Sequence, residues 1–64
     1  MKEYLNELIG KNRNACLEDI KEMEAVGYTV NVMPEGSVVT RDYRLDRIRI
    51  SYDNNDIITK ASVG

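Results

Sequence analysis

Four of the chain's five arginines, Arg41, Arg44, Arg47 and Arg49, fall within residues 40–50, a stretch that contains no lysine. Asp42 and Asp46 are interleaved with them. The stretch is net +2 in a chain whose overall charge is −2. In Ser37-Val38-Val39-Thr40-Arg41-Asp42-Tyr43-Arg44, the residues Val38, Val39, Thr40 and Tyr43 favour extended backbone. Side chains of an extended segment alternate, so Thr40 and Asp42 point one way and Arg41 the other. Arg47 and Arg49, also two apart, share a face. Two acceptors can thus meet two guanidinium groups, which ties the loop to its scaffold while Arg41 projects into solvent. Without that context, Arg41 is an ordinary solvated loop residue. Arg47 and Arg49 are then the charged face of an edge strand, where charge discourages aggregation.

Other chemistries find little support. The chain has no histidine, which removes the commonest general base and metal ligand at neutral pH. Cys16 is the single cysteine, so no internal disulfide forms. It falls on an apolar helical stripe and reads as a small core residue, with no histidine to activate it. Asp53-Asn54-Asn55-Asp56 faintly suggests a calcium loop, but Ile58 stands where the required glycine would be and no glutamate closes it, so it is a turn. No metal and no cofactor is expected. Nucleic acid is not an expected partner either. Acidic residues interrupt the arginines, only Tyr43 could stack, and the net charge is −2. No apolar run approaches the ~20 residues that span a bilayer, so a membrane is not expected as a partner.

With 64 residues and 31% of them charged, the chain is expected to form one domain over residues 1–64 with a marginal core. The apolar stripe of Cys16, Ile20 and Met23, widened by Ala15, Leu17 and Val26, predicts a helix over about 12–26, with Asn12 as N-cap and Gly27 just past its end. Period-two alternation predicts strands over about 28–33, with Tyr28, Val30 and Val32 on one face, and over about 47–52, with Ile48, Ile50 and Tyr52 on one face. A short returning strand is expected over about 57–60. The thirteen residues from Pro34 to Asp46 are far more than an antiparallel turn needs, so the first two strands are expected to pair in parallel. A connection of that length in so small a domain is usually functional. Activity is therefore expected in the 34–46 loop.

The run Pro34-Glu35-Gly36-Ser37-Val38-Val39-Thr40-Arg41-Asp42-Tyr43-Arg44-Leu45-Asp46-Arg47-Ile48-Arg49-Ile50 closely resembles the reactive loop and following strand of the potato inhibitor I family. The likeness extends through Glu7-Leu8-Ile9-Gly10-Lys11 and Val63-Gly64, nearly the whole chain. The resemblance implies an α+β fold, one helix packed on a small mixed β-sheet with a long exposed reactive loop, that binds serine proteases as a substrate does. It implies no enzymatic activity of its own. By the same resemblance the reactive bond is Arg41-Asp42, with Val38, Val39, Thr40, Tyr43 and Arg44 contacting the protease. Arg47, Arg49 and Gly64 support the loop. The guanidinium of Arg41 suits the aspartate at the base of a trypsin-like pocket. Trypsin-like proteases are thus the expected partners of a monomeric inhibitor, with subtilisin-like proteases as secondary targets.

Three departures from the family pattern stand out. Leu5 occupies a place where relatives often carry tryptophan, which implies a repacked core contact. Asp19 sits where the helix is often apolar, which thins the core. Lys60-Ala61-Ser62 replaces an apolar residue and a proline, which loosens the tail. Met1 opens the sequence without a signal peptide, which fits a cytosolic form or a trimmed or engineered chain. The competing function is a non-inhibitory scaffold of the same fold, natural or engineered, whose loop is a substrate or an interaction surface.

Overall fold

The computed structural model describes residues 2–38 and 42–64. Its order is helix α1 (Lys2–Leu8), a 3-10 turn (Arg13–Cys16), helix α2 (Leu17–Ala25), and strands β1 (Thr29–Pro34), β2 (Arg47–Tyr52) and β3 (Ile58–Val63). The strands form one sheet in the order β1-β2-β3. The first pair is parallel, with Thr29 beside Arg47 and Val32 beside Ile50. The second pair is antiparallel, with Ile48 beside Val63 and Ile50 beside Ala61. The parallel pair is what forces the long crossing from Pro34 to Arg47, because no tight turn can join parallel strands.

Helix α2 and the 3-10 turn occupy the segment expected as one helix over 12–26. Asn12 caps the turn, its side-chain oxygen accepting from the Asn14 amide at 2.8 Å. Cys16 then takes φ −105° and ψ 11°, outside the helical range, and α2 starts afresh at Leu17. The break changes which residues face inward. Cys16 and Met23 are buried and Ile20 packs against the core, but Leu17 and Val26 are exposed, and so is Ala15. The stripe is thus narrower than its expected width. Gly27 ends the helix at φ +106°, a conformation that suits a residue without Cβ. That reversal lets the Tyr28 amide donate to the Met23 carbonyl at 3.1 Å and directs the chain into β1.

One element lies outside the expectations, and two expectations need correction. Helix α1 was not anticipated. Its Leu5 and Leu8 are both buried against the sheet, so Leu5 does occupy a core position. Asp19 does not merely thin the core, because it accepts a hydrogen bond from the Tyr4 hydroxyl at 2.8 Å and ties α1 to α2. Strand β3 continues to Val63 rather than stopping at 60. The supposedly loose Lys60–Ser62 tail is therefore part of the sheet, held by its pairing with β2. In β1, Val32 lies 38% exposed although Val30 beside Ile48 packs on the core.

The core is Leu5, Leu8, Cys16, Met23, Ile48, Ile50 and Ile58. Each large aliphatic side chain buried this way contributes about 1.5–3 kcal/mol relative to exposure. Ile48 and Ile50 supply the centre of that cluster, and their alternation sends Arg47 and Arg49 to the opposite face of β2. The turn after β2 is fixed by Asp53, whose carboxylate accepts from the amides of Asn55 and Ile57 at 2.8 and 3.0 Å. Arg13 closes the far end, paired with Asp56 at 3.0 Å and stacked over the Tyr52 ring at 4.1 Å.

Candidate functional site

The loop leaves β1 through a turn in which the Ser37 amide and hydroxyl both donate to the Pro34 carbonyl, at 3.3 and 2.7 Å. The Glu35 amide donates to the Tyr52 carbonyl at 2.8 Å, so the departing strand is still fastened to β2. Glu35 also accepts from the Thr59 hydroxyl at 2.8 Å. Beyond this anchor Val38 is 99% exposed, which marks the point where the chain leaves the body of the domain. Val39, Thr40 and Arg41 lie outside the described residues.

The returning side of the loop is held by Arg47. This residue is only 7% exposed, an uncommon state for arginine. Its Nη2 donates to the Asp42 carbonyl and its Nη1 to the Asp42 carboxylate at 3.3 Å, while Nε donates to the Gly64 oxygen at 2.7 Å. One planar guanidinium thus joins the loop, the start of β2 and the end of β3. The sheet register brings Gly64 there, because Val63 pairs with Ile48 and places the next residue beside Arg47. The Gly64 amide returns a bond to the Arg47 carbonyl at 2.9 Å. A Cβ on Gly64 would stand 3.3 Å from the Tyr43 ring, and its φ of +153° is one that L side chains rarely adopt. Glycine is thus the residue that lets the ring lie close. Arg49, next on the same face of β2, brings Nη2 to 3.5 Å from the Asp42 carbonyl.

A second tie lies further along. Arg44 forks onto Asp46 through Nε and Nη2, at 3.0 and 2.9 Å. The hydrogen bonds of this fork lower the Asp46 carboxyl below the usual carboxylate range and raise the Arg44 guanidinium. The Asp46 carbonyl accepts from the Thr29 amide at 2.7 Å, which seats the end of the loop against β1. Sequence reasoning placed Arg44 only toward a protease and gave Asp46 no role. An oppositely charged pair two residues apart in a loop was the available signal. Tyr43 and Leu45 remain largely exposed, at 70% and 74%.

The structure therefore brings Asp42, Tyr43, Arg47, Arg49 and Gly64 to one end of the sheet. Arg44 is turned to Asp46, and Val38 stands on the opposite limb of the loop. Among the described residues no group of three or more His, Cys, Asp or Glu could hold a metal ion. No helix among them is long and apolar enough to cross a membrane. The arrangement is built to hold a backbone segment in a fixed shape, not to activate a nucleophile. Burial raises the Cys16 thiol above its ordinary range, which keeps it protonated and unreactive.

Comparison with known proteins agrees with this architecture. The family model described as the potato inhibitor I family matches residues 2–63. A protein named subtilisin inhibitor CLSI-I, from Canavalia lineata, is 39% identical over 55 residues, which cover 86% of this chain and 82% of that protein. The fold is similar to the crystal structure of bitter gourd trypsin inhibitor, with a TM-score of 0.74 and 25% identity over 91% of this chain and 85% of that one. The chain belongs to the potato inhibitor I family of protease inhibitors, and it is not an enzyme.

Proposed function

We propose that the chain is a monomeric inhibitor of trypsin-like serine proteases, which it engages by presenting the 34–46 loop as a substrate with Arg41-Asp42 as the reactive bond. The observation that carries this reading is the hold of Arg47 on both the carbonyl and the carboxylate of Asp42. In this reading Arg41 enters the primary specificity pocket, where an aspartate at its base pairs with the guanidinium. A deep apolar pocket would have to bury the charge unpaired, at a cost of several kcal/mol. Val38, Val39, Thr40, Tyr43 and Arg44 lie along the protease's cleft, where main-chain hydrogen bonds give affinity and the pocket reads a single side chain.

A substrate-like loop inhibits when it is already in its bound shape and cannot drift apart after cleavage. Ordering costs are then low on association. After attack on the Arg41 carbonyl the new amine belongs to Asp42, which Arg47 keeps tied to β2 and Gly64. Its high effective concentration near the acyl-enzyme favours resynthesis of the bond over hydrolysis. Arg49 and Gly64 serve the same support. Subtilisin-like proteases, whose pockets are broader, are secondary targets, in keeping with the name of the relative from Canavalia lineata.

Titration against trypsin, chymotrypsin and subtilisin, with mass spectrometry after prolonged incubation, tests the proposal. Tight trypsin inhibition with Arg41-Asp42 intact or slowly nicked is the expected result. Rapid and complete cleavage after Arg41 without inhibition would instead establish a scaffold whose loop is a substrate.

A further inference from the structure

The face of the sheet behind the loop carries a concavity to which the loop support contributes Arg49. The register sets Arg49 beside Ser62 and Ser51 beside Lys60. These four side chains stand on the face opposite Ile48 and Ile50, because neighbours in a strand alternate. Under the turn that includes Gly36 and Ser37 they line a concavity of about 330 Å³. Two of its lining residues are cations and none is a carboxylate, although the chain carries a net charge of −2. The nearby carboxylate of Glu35 is engaged by the Thr59 hydroxyl. The Lys60 ammonium and the hydroxyls of Ser51 and Ser62 donate to no protein group among the described residues.

We propose that this concavity binds a small oxyanion of the phosphate or sulfate type. Lys60 supplies a full charge with three rotatable donors and the two serines supply hydroxyl donors, while the Arg49 guanidinium, held on the Asp42 carbonyl, adds positive charge to the wall. These donors come from two neighbouring strands and line one concavity, and a tetrahedral anion, with acceptors on every side, can take donors from both strands better than a planar carboxylate can. A water molecule takes about 30 Å³ of liquid volume, so the space accommodates such an anion together with part of its hydration shell. An open, partly hydrated site of this kind binds weakly. It does not depend on the choice of target protease.

The test is an amide NMR titration of the intact chain with inorganic phosphate at pH 7, repeated with sulfate and with chloride at matched ionic strength. Saturable shifts confined to Gly36, Ser37, Ser51, Lys60 and Ser62, absent with chloride, are expected. Lys60→Met should weaken binding about tenfold, the loss of one charge-assisted contact. Lys21→Met, on α2, should leave it unchanged. Ser62→Ala keeps the charge and the strand and should weaken it by a few-fold, which guards against misfolding of the lysine variant. Shifts that grow linearly, that chloride reproduces, or that keep their midpoint in both Lys60→Met and Ser62→Ala overturn the site.

Discussion

A guanidinium withdrawn from water is tolerated only when its donors are matched, and Arg47 meets that condition through Asp42 and Gly64. Replacing it by alanine leaves the Gly64 oxygen and the Asp42 carbonyl without this donor. Arg47→Ala is expected to lose about 1.5–3 kcal/mol of stability, the range for hydrogen bonds to charged groups. Urea unfolding would measure that loss. With Arg41-Asp42 as the proposed reactive bond, the functional consequence should exceed the thermal one, because an amine released at Asp42 would no longer be held. Trypsin should cut this variant once, after Arg41, at a rate at least about tenfold above the parent. Arg47→Lys keeps the charge but loses the fork, so its nicking rate should fall between the two. If Arg47→Ala resists hydrolysis as the parent does, the bracing role of Arg47 is wrong. Arg41→Ala is the complementary case. Trypsin affinity should drop at least about a hundredfold, as for a central hot spot, with the melting temperature unchanged. An equal loss of affinity in a variant that also melts early would point to folding instead of recognition.

At the level of elements, the least legible piece was α1. It spans Lys2–Leu8, buries Leu5 and Leu8 and packs Tyr4 against the core. A helix this short is unstable alone and exists because the sheet and α2 receive it. Its tie to α2 gives a pH signature. The hydrogen bond to Asp19, then desolvation, raises the Tyr4 hydroxyl from 10.0 to about 12. Folding therefore favours the protonated phenol. That stabilisation is complete below pH 10.0 and lost as pH rises through about 12. Tyr4→Phe should cost about 1 kcal/mol at neutral pH. The difference between parent and variant should shrink as pH rises through that window, which urea unfolding at successive pH values can follow. A gap that persists at high alkalinity would rule out the hydrogen bond as its cause. Strand β2 was readable because Ile48 and Ile50 alternate with charged residues. Strand β3 was cut short because Lys60, Ala61 and Ser62 have weak strand preference and are extended only by pairing with β2. For the loop, side-chain parity anticipated that Thr40 and Asp42 could meet Arg47 and Arg49, and the structure sets Asp42 against both guanidinium groups. It could not anticipate the burial of Arg47, which requires Gly64 to arrive from the far end of the chain.

The whole domain has no disulfide to hold it, so loop and core are linked through stability. Arg47 and Ile48 are neighbours on β2, one bracing the loop and the other filling the core. Domains of this size have stabilities near the lower end of about 5–15 kcal/mol. Ile50 is fully buried between its partners Val32 and Ala61. Ile50→Ala removes part of that contact and leaves a cavity, at a cost of about 2–5 kcal/mol, which is much of the total. Its failure with trypsin should look different from that of the arginine variants. Unfolding exposes lysine and arginine bonds throughout the chain, which has nine such residues. Digestion of Ile50→Ala should therefore give many small fragments, whereas Arg47→Ala should give a single cut and an otherwise intact domain. Lowering the temperature toward the range of maximal stability should restore inhibition to Ile50→Ala and leave Arg47→Ala a substrate. Mass spectra of the two digests at two temperatures would separate loss of the brace from loss of the fold. A single cut in the core variant would mean that the loop opens without the domain, and that the brace depends on the core more locally than global unfolding requires.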